Sequence, residues 1–310
     1  MPSELEALRR RVVSVGGRVD DALGMAVHAL LTGNRALANE AVLNDLPINR
    51  VIRALDDQCY QLLQGEPLQA DELRLVITTL RMNIAIERIG DYAVTVAREA
   101  EQLGQAPPQV LADRVREMTA CSRKMLRASL KSWAEGDVAM ARATRQVASE
   151  VDDLLDRAWH DMLEMGRDTA LRDSFAFLIV FSNLERVSDQ ARNICEEAVF
   201  ATTGETKPPK RYRVMFVDED HTLSRQAHDL AEALFPESGA YRSAGWEKDR
   251  AAIRQAVPRH HVLVSLSGDP RAQLDGVPFS TIVLEWKSAS KGLEAEVRRL
   301  MRKLRGAGAR

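Results

Sequence analysis

Oxygen-bearing side chains recur every fourth residue in two separate stretches of this 310-residue chain. The first holds Asn83, Glu87, Asp91 and Thr95; the second holds Glu185, Asp189, Asn193 and Glu197. In a helix that spacing puts each set on one face. Like charges at i, i+4 destabilise a helix by roughly 0.2–0.5 kcal/mol, so their presence in both stretches calls for a compensating cation. Oxygen donors suit hard cations, and iron or zinc also accept them. The plainer alternative, which spacing alone favours, is a solvated face where Glu87 and Asp91 pair with arginines such as Arg88. A di-iron enzyme would need Glu-x-x-His pairs. Neither Glu87 nor Glu185 has a histidine three residues on, and His28 and His160 stand singly in the helical region. Oxidase chemistry is therefore disfavoured.

The segment that positions these stripes runs from Leu5 to about Phe200. It is poor in Gly and Pro and has apolar residues at helical spacing. Breaks at Thr32-Gly33-Asn34, Gly65-Glu66-Pro67, Ala106-Pro107-Pro108, Glu135-Gly136-Asp137 and Gly166-Arg167-Asp168 predict six helices. Glu87, Asp91 and Thr95 stand at one constant offset from Glu185, Asp189 and Asn193, and Gly33-Asn34 matches Gly136-Asp137. That is an internal duplication. Ile84, Ile89 and Val94, with Leu184, Val187 and Ile194, are expected to set the polar stripes beside the core. Pro47 falls inside the expected second helix and predicts a kink there.

At these helices the chain resembles the PhoU family. Leu80 to Glu99, LRMNIAIERIGDYAVTVARE, and Phe181 to Glu205, FSNLERVSDQARNICEEAVFATTGE, are similar to its two signature helices. The resemblance implies two tandem pseudo-symmetric three-helix bundles, residues 1–104 and 105–203, and a mainly α fold. By position it implies metal ligands at Glu87, Asp91, Glu185, Asp189 and Asn193, with Glu150 and Asp153 as further candidates. A divalent or trivalent cation, whether iron, zinc, magnesium or manganese, would suit them. Thr95 departs from the family's Asn, and the first unit offers Asn44, Asp45 and Asn49 where the second offers Glu150, Asp152 and Asp153. Tighter metal binding is therefore expected in the second unit. The resemblance further implies a non-enzymatic, homodimeric negative regulator of phosphate uptake and phosphate-responsive signalling. It would contact the ATPase subunit of a phosphate ABC transporter and a sensor histidine kinase. The rivals are a metal-dependent enzyme at the carboxylates and a phosphoprotein-binding adaptor centred on the remaining third.

That third begins after a polar linker, residues 204–212, whose prolines stop a helix. Apolar runs at Arg213 to Val217, His261 to Leu266 and Thr281 to Leu284, alternating with helical patterns at Leu223 to Phe235 and Leu293 to Leu304, predict a small α/β domain with a mainly parallel sheet over 213–310. Tyr212 to Pro236 and the Arg242-Ser243-Ala244-Gly245 tetrapeptide resemble the low-molecular-weight tyrosine phosphatase and arsenate reductase fold. Glu219 stands where that family has its cysteine nucleophile, with Arg225 as the arginine of the loop. Asp218, Glu219 and Asp220 would repel an anion. The same acids resemble the pocket of receiver domains, but Ser265, Leu266 and Ser267 stand where a phospho-accepting Asp is needed.

Acidic and basic residues nearly cancel, 45 against 43, so no global field draws the chain to nucleic acid or an anionic membrane. Cys59, Cys121 and Cys195 are odd in number and lie in helical patterns, the usual place of small apolar residues. The N-terminal segment lacks an export signal and no apolar run spans a bilayer, so a cytoplasmic protein is expected.

Overall fold

The computed structural model describes residues 2–165, 170–206, 211–274, 276–277, 281–286 and 292–305. The chain divides into two compact units, Met1–Lys207 and Pro208–Arg310.

In the first unit, one half comprises α1 (Pro2–Thr32), α2 (Arg35–Leu43), α3 (Asp45–Gln64) and α4 (Ala70–Leu103). The other comprises α5 (Gln109–Glu135), α6 (Val138–Gln146), α7 (Ala148–Met165) and α8 (Leu171–Thr203). Each half is a three-helix bundle whose middle helix is broken in two; the sequence predicts a kink at Pro47 in the first half and none in the second, whereas the breaks fall at Asn44 and Val147. Asn44 and Val147, the residues at the breaks, keep right-handed helical dihedrals, so each break is a kink rather than a loop. Pro47 lies in the first turn of α3, where a missing N–H leaves no hydrogen bond unmade. The same break occurs at Val147 without a proline, so Pro47 does not cause it. The predicted break at Gly166 to Asp168 lies outside the described residues.

The two halves start their middle helices identically. Gly33 and Gly136 take left-handed dihedrals (φ 65° and 67°), which glycine tolerates without a Cβ clash. Asn34 then accepts the Leu37 N–H, and Asp137 the Met140 N–H, through their side chains. Between halves α1 and α5 run antiparallel. Arg9 donates to the Ala134 carbonyl at 3.0 Å. Buried Asp20 accepts two hydrogen bonds from Arg123, at 2.7 and 2.9 Å, and one from Arg127 at 2.8 Å. α4 packs along α1 and α8 along α5, while α4 and α8 pack on each other. One apolar core, from Leu8 and Val12 through Ile86 and Leu126 to Val187, runs through both halves.

In the second unit a four-stranded parallel sheet has the order β2-β1-β3-β4. Its strands are β1 (Tyr212–Asp218), β2 (Gly239–Gly245), β3 (Val262–Ser265) and β4 (Ile282–Glu285). α9 (Thr222–Leu234) follows β1, and α10 (Trp246–Ala256) follows β2. A short 3-10 turn precedes β3, and α11 (Pro270–Gln273) and α12 (Leu293–Arg305) complete the unit. Val214 and Phe216 of β1 pack with α9 and α12, whereas Met215 and Val217 pack with α10. Both faces of the sheet are thus covered, which is why β1 and β3 read as unbroken apolar runs.

Candidate functional site

The acidic stripes lie on α4 and α8, and the neighbouring middle helices decide what each stripe meets. In the second half Glu185 is half-buried on α8. Burial above all, then Asp189 and then Asp152 of α7, pushes its carboxyl up to about 7, against the pull of Arg192 and Arg186. Asp152 is raised for the same reasons, burial first and Asp189 next. Arg192 bonds Asp189 at 2.5 Å. Asp189, Glu185 and Asp152, from two helices, thus all lie within electrostatic reach of Arg192.

In the first half Glu87 and Asp91 are exposed. Asp91 faces Asp45 of α3, whose pKa is raised mainly by burial and then by Asp91; the Asn49 hydrogen bond and Arg98 oppose this. Asn49 donates to Asp45 Oδ2 at 2.7 Å. The other oxygens, Asp45 Oδ1 and Asn49 Oδ1, are buried without partners, as is Asn83 Oδ1. Orphaned buried acceptors are costly, and these atoms ask for a proton, a water or a cation.

The remaining candidates fall elsewhere. Glu150 is exposed and acts on Cys121 of α5. Asp153 couples to Asp152 and Asp156 along its own helix. Asn193 lines a small cleft of about 130 Å³ between α8 and α4, beside Arg81, Arg88 and Ile84. Ile84, expected next to the core, is 53% exposed there. Asp152, Asp45 and Asn49 are therefore what the structure brings to the stripes. Asp152 and Asn49 occupy equivalent turns of α7 and α3, at the same distance beyond Gly136 and Gly33, a correspondence visible in the sequence. Among the described residues no three His, Cys, Asp or Glu side chains converge tightly enough to enclose a metal ion. The donor chemistry, all oxygen, suits a hard cation.

In the second unit the acids serve the backbone. Asp218, buried at the end of β1, accepts the Leu223 N–H at 2.7 Å and the Ser224 hydroxyl at 2.5 Å. Asp220 accepts the Thr222 N–H at 3.0 Å, which holds its carboxyl below the usual range. Between them His221 adopts left-handed dihedrals (φ 69°) and meets Ser243 Oγ through Nε2 at 3.0 Å. The Ser267 hydroxyl accepts the Glu219 N–H at 2.8 Å. The start of α9, where an oxyanion would seek amide hydrogens, is already filled by the chain's own carboxylates.

Both halves of the first unit match the PhoU domain, over residues 12–100 and 115–198. The chain belongs to the PhoU family. Membership carries a general PhoU-type role in phosphate regulation. The phosphate-specific transport system accessory protein PhoU homolog of Pseudomonas aeruginosa is 31% identical over 207 residues, 65% of this chain and 85% of the relative. The PhoU of Escherichia coli K12 is 26% identical over 207 residues, 66% of this chain and 85% of its own. The crystal structure of PhoU from Pseudomonas aeruginosa aligns with a TM-score of 0.62 at 30% identity, covering 66% of this chain and 99% of that one. Among the described residues no helix is long and apolar enough to cross a membrane.

Proposed function

We propose that this PhoU-family chain is a cytoplasmic, non-enzymatic negative regulator of phosphate uptake and phosphate-responsive signalling. It acts by contact with the ATPase subunit of a phosphate ABC transporter and with a sensor histidine kinase. The observation that carries the reading is the paired match to the PhoU domain on two halves whose acid stripes keep the same register. Deleting the gene should raise a phosphate-starvation reporter in phosphate-replete cells, and the full chain should restore repression. An unchanged reporter in the deletion strain would overturn the reading.

The same reading gives the acidic groups a divalent or trivalent cation. Glu185 and Asp189 would supply its carboxylates in the second half; in the first, Asp45, Asn49 and Asp91 would supply its oxygens. What supports this is the raised Glu185 carboxyl and the orphaned oxygens of Asp45 and Asn49. The cation would supply charge neutralisation. Elemental analysis of the purified chain and of Glu185→Ala/Asp189→Ala tests it, and equal metal content in both would count against these ligands.

The second unit is read as a degenerate phosphatase-like domain that serves docking. The parallel order β2-β1-β3-β4 supports that reading, together with a β1 to α9 loop filled by Asp218 and Asp220. No cysteine follows Cys195, so a thiolate nucleophile cannot come from this unit. The full chain is expected not to hydrolyse p-nitrophenyl phosphate above the rate of a heat-denatured control.

A further inference from the structure

In the first unit, α5 presents Arg116, Arg123, Lys124, Arg127 and Lys131 along a groove of about 680 Å³ that it forms with α1 and α6. Among the described residues no carboxylate lines this groove, although the chain as a whole carries 45 acids against 43 bases. The rest of the lining is mainly apolar, with Val27 and Leu31 of α1, Ala120 and Ala128 of α5 and Met140 of α6, joined by the polar side chains of His28 and Thr119.

Two of the five cations are anchored by a buried acid. Arg123 and Arg127 are both tied to Asp20, which is only 4% exposed. Gly24 makes this geometry possible, because a Cβ there would stand 2.7 Å from the Arg123 guanidinium. Thr119 also lines the groove; it is 7% exposed and its hydroxyl has no partner. Fixed charges cost less ordering entropy when a ligand binds than mobile ones do.

We propose that this groove docks an acidic amphipathic helix of a partner protein. The inference rests on the reading that the chain works through protein contacts and names the surface it uses. Three features choose the occupant. From Arg116 to Lys131, α5 rises about 22 Å, the length of a helix of about four turns. An apolar floor takes the apolar face of such a helix, in the helix-in-groove manner. The cationic lining selects acidic flanks and repels basic ones, with Arg116 and Lys131 at its ends also reaching Asp113 and Glu135. A bare polyanion fits less well, since it would lay its charge over Val27, Leu31 and Met140 while Asp20 already neutralises part of Arg123 and Arg127.

The test uses the full chain and a fluorescent helical peptide of about 18 residues with leucines along one face and glutamates on both flanks. Fluorescence anisotropy at about 0.15 M salt should show saturable binding. The variant Arg116→Gln/Lys124→Gln/Lys131→Gln leaves the Asp20 pairs intact and should bind roughly tenfold more weakly, with an unchanged circular-dichroism melt. Arg302→Gln/Lys303→Gln, on the exposed side of α12, should bind like the parent. Replacing the peptide's leucines by serine should weaken binding at least as much. No binding by the parent chain, equal binding by the triple variant, or equal binding by the serine peptide or by inorganic polyphosphate would each overturn the proposal. The reporter assay separates the two readings. A triple variant that binds no peptide yet represses fully refutes the groove as the partner's site and leaves the regulatory reading standing, whereas a deletion strain with no phenotype refutes the latter.

Discussion

The two halves of the helical unit share a backbone plan but not a charge plan, and α1 and α5 show it most sharply. Asp20 and Arg123 stand at the same distance before Gly33 and Gly136, so they occupy equivalent positions of a duplicated helix. Yet one is a buried acid and the other is the base that bonds it. Two copies of the first half alone would set Asp20 against Asp20, and two of the second Arg123 against Arg123. Duplication within one chain removed that conflict by letting the two copies diverge into complements. The acid stripes diverged as well. The second half gathers Glu185, Asp189 and Asp152 around Arg192, whereas the first leaves Asp45 and Asn49 with unpaired oxygens near Asp91.

The seam should show the largest effect. Asp20→Ala leaves Arg123 partly buried without its acid, and about 3 kcal/mol of stability should be lost, read as a lower urea midpoint. The exchange Asp20→Arg/Arg123→Asp should recover part of that loss; no recovery would break the complementarity argument. Next comes Glu185. Its folded carboxyl keeps a proton to higher pH than an unfolded one, so its contribution is intact below about pH 4.5 and is lost as pH rises through about 7. With allowance for partial solvent screening, Glu185→Gln should stabilise the metal-free chain by about 1 kcal/mol at pH 8 and by close to nothing at pH 4.5. A pH-independent change in the urea midpoint would contradict the assigned cause.

Asn49→Asp sharpens the comparison from the other side by giving the first half the carboxylate that Asp152 supplies to the second. It should cost about 0.5–1 kcal/mol at pH 8 in chelator, and added manganese should reduce that cost, measured by thermal melts with and without the ion. Pro47→Ala should change stability least, by no more than about 0.5 kcal/mol, because the proline sits where no N–H is needed. A loss near 3 kcal/mol would mean that Pro47 does set the kink.

Much of this was legible in the sequence because duplication doubles the signal. The Gly33-Asn34 and Gly136-Asp137 starts and the stripes on α4 and α8 could each be checked against a second copy. The break at Val147 has no marker in the sequence because it keeps helical dihedrals and no Gly or Pro stands beside it, while Pro47 points to a kink in the first half that lies three residues earlier, at Asn44. β2 does not read as a strand because Gly239, Ala240, Ser243, Ala244 and Gly245 have little strand preference; pairing with β1 supplies what composition does not. Spacing on α7 alone does not separate Asp152 from Glu150 and Asp153, because it does not say which turn faces α8. Asp20 did carry a signal, an acid on the apolar stripe of Val12, Val19 and Leu23, but only its partner on α5 explains it.

α8 is a single rod of 33 residues, and α4 beside it has 34. Thr203, at the end of α8, lies about 27 Å along the axis from Glu185. A tilt of about 5° pivoting at that carboxylate sweeps the tip through about 2 Å, the size of helix shift that repacks an interface. A rod of this length therefore converts any tilt about its middle into displacement at its end.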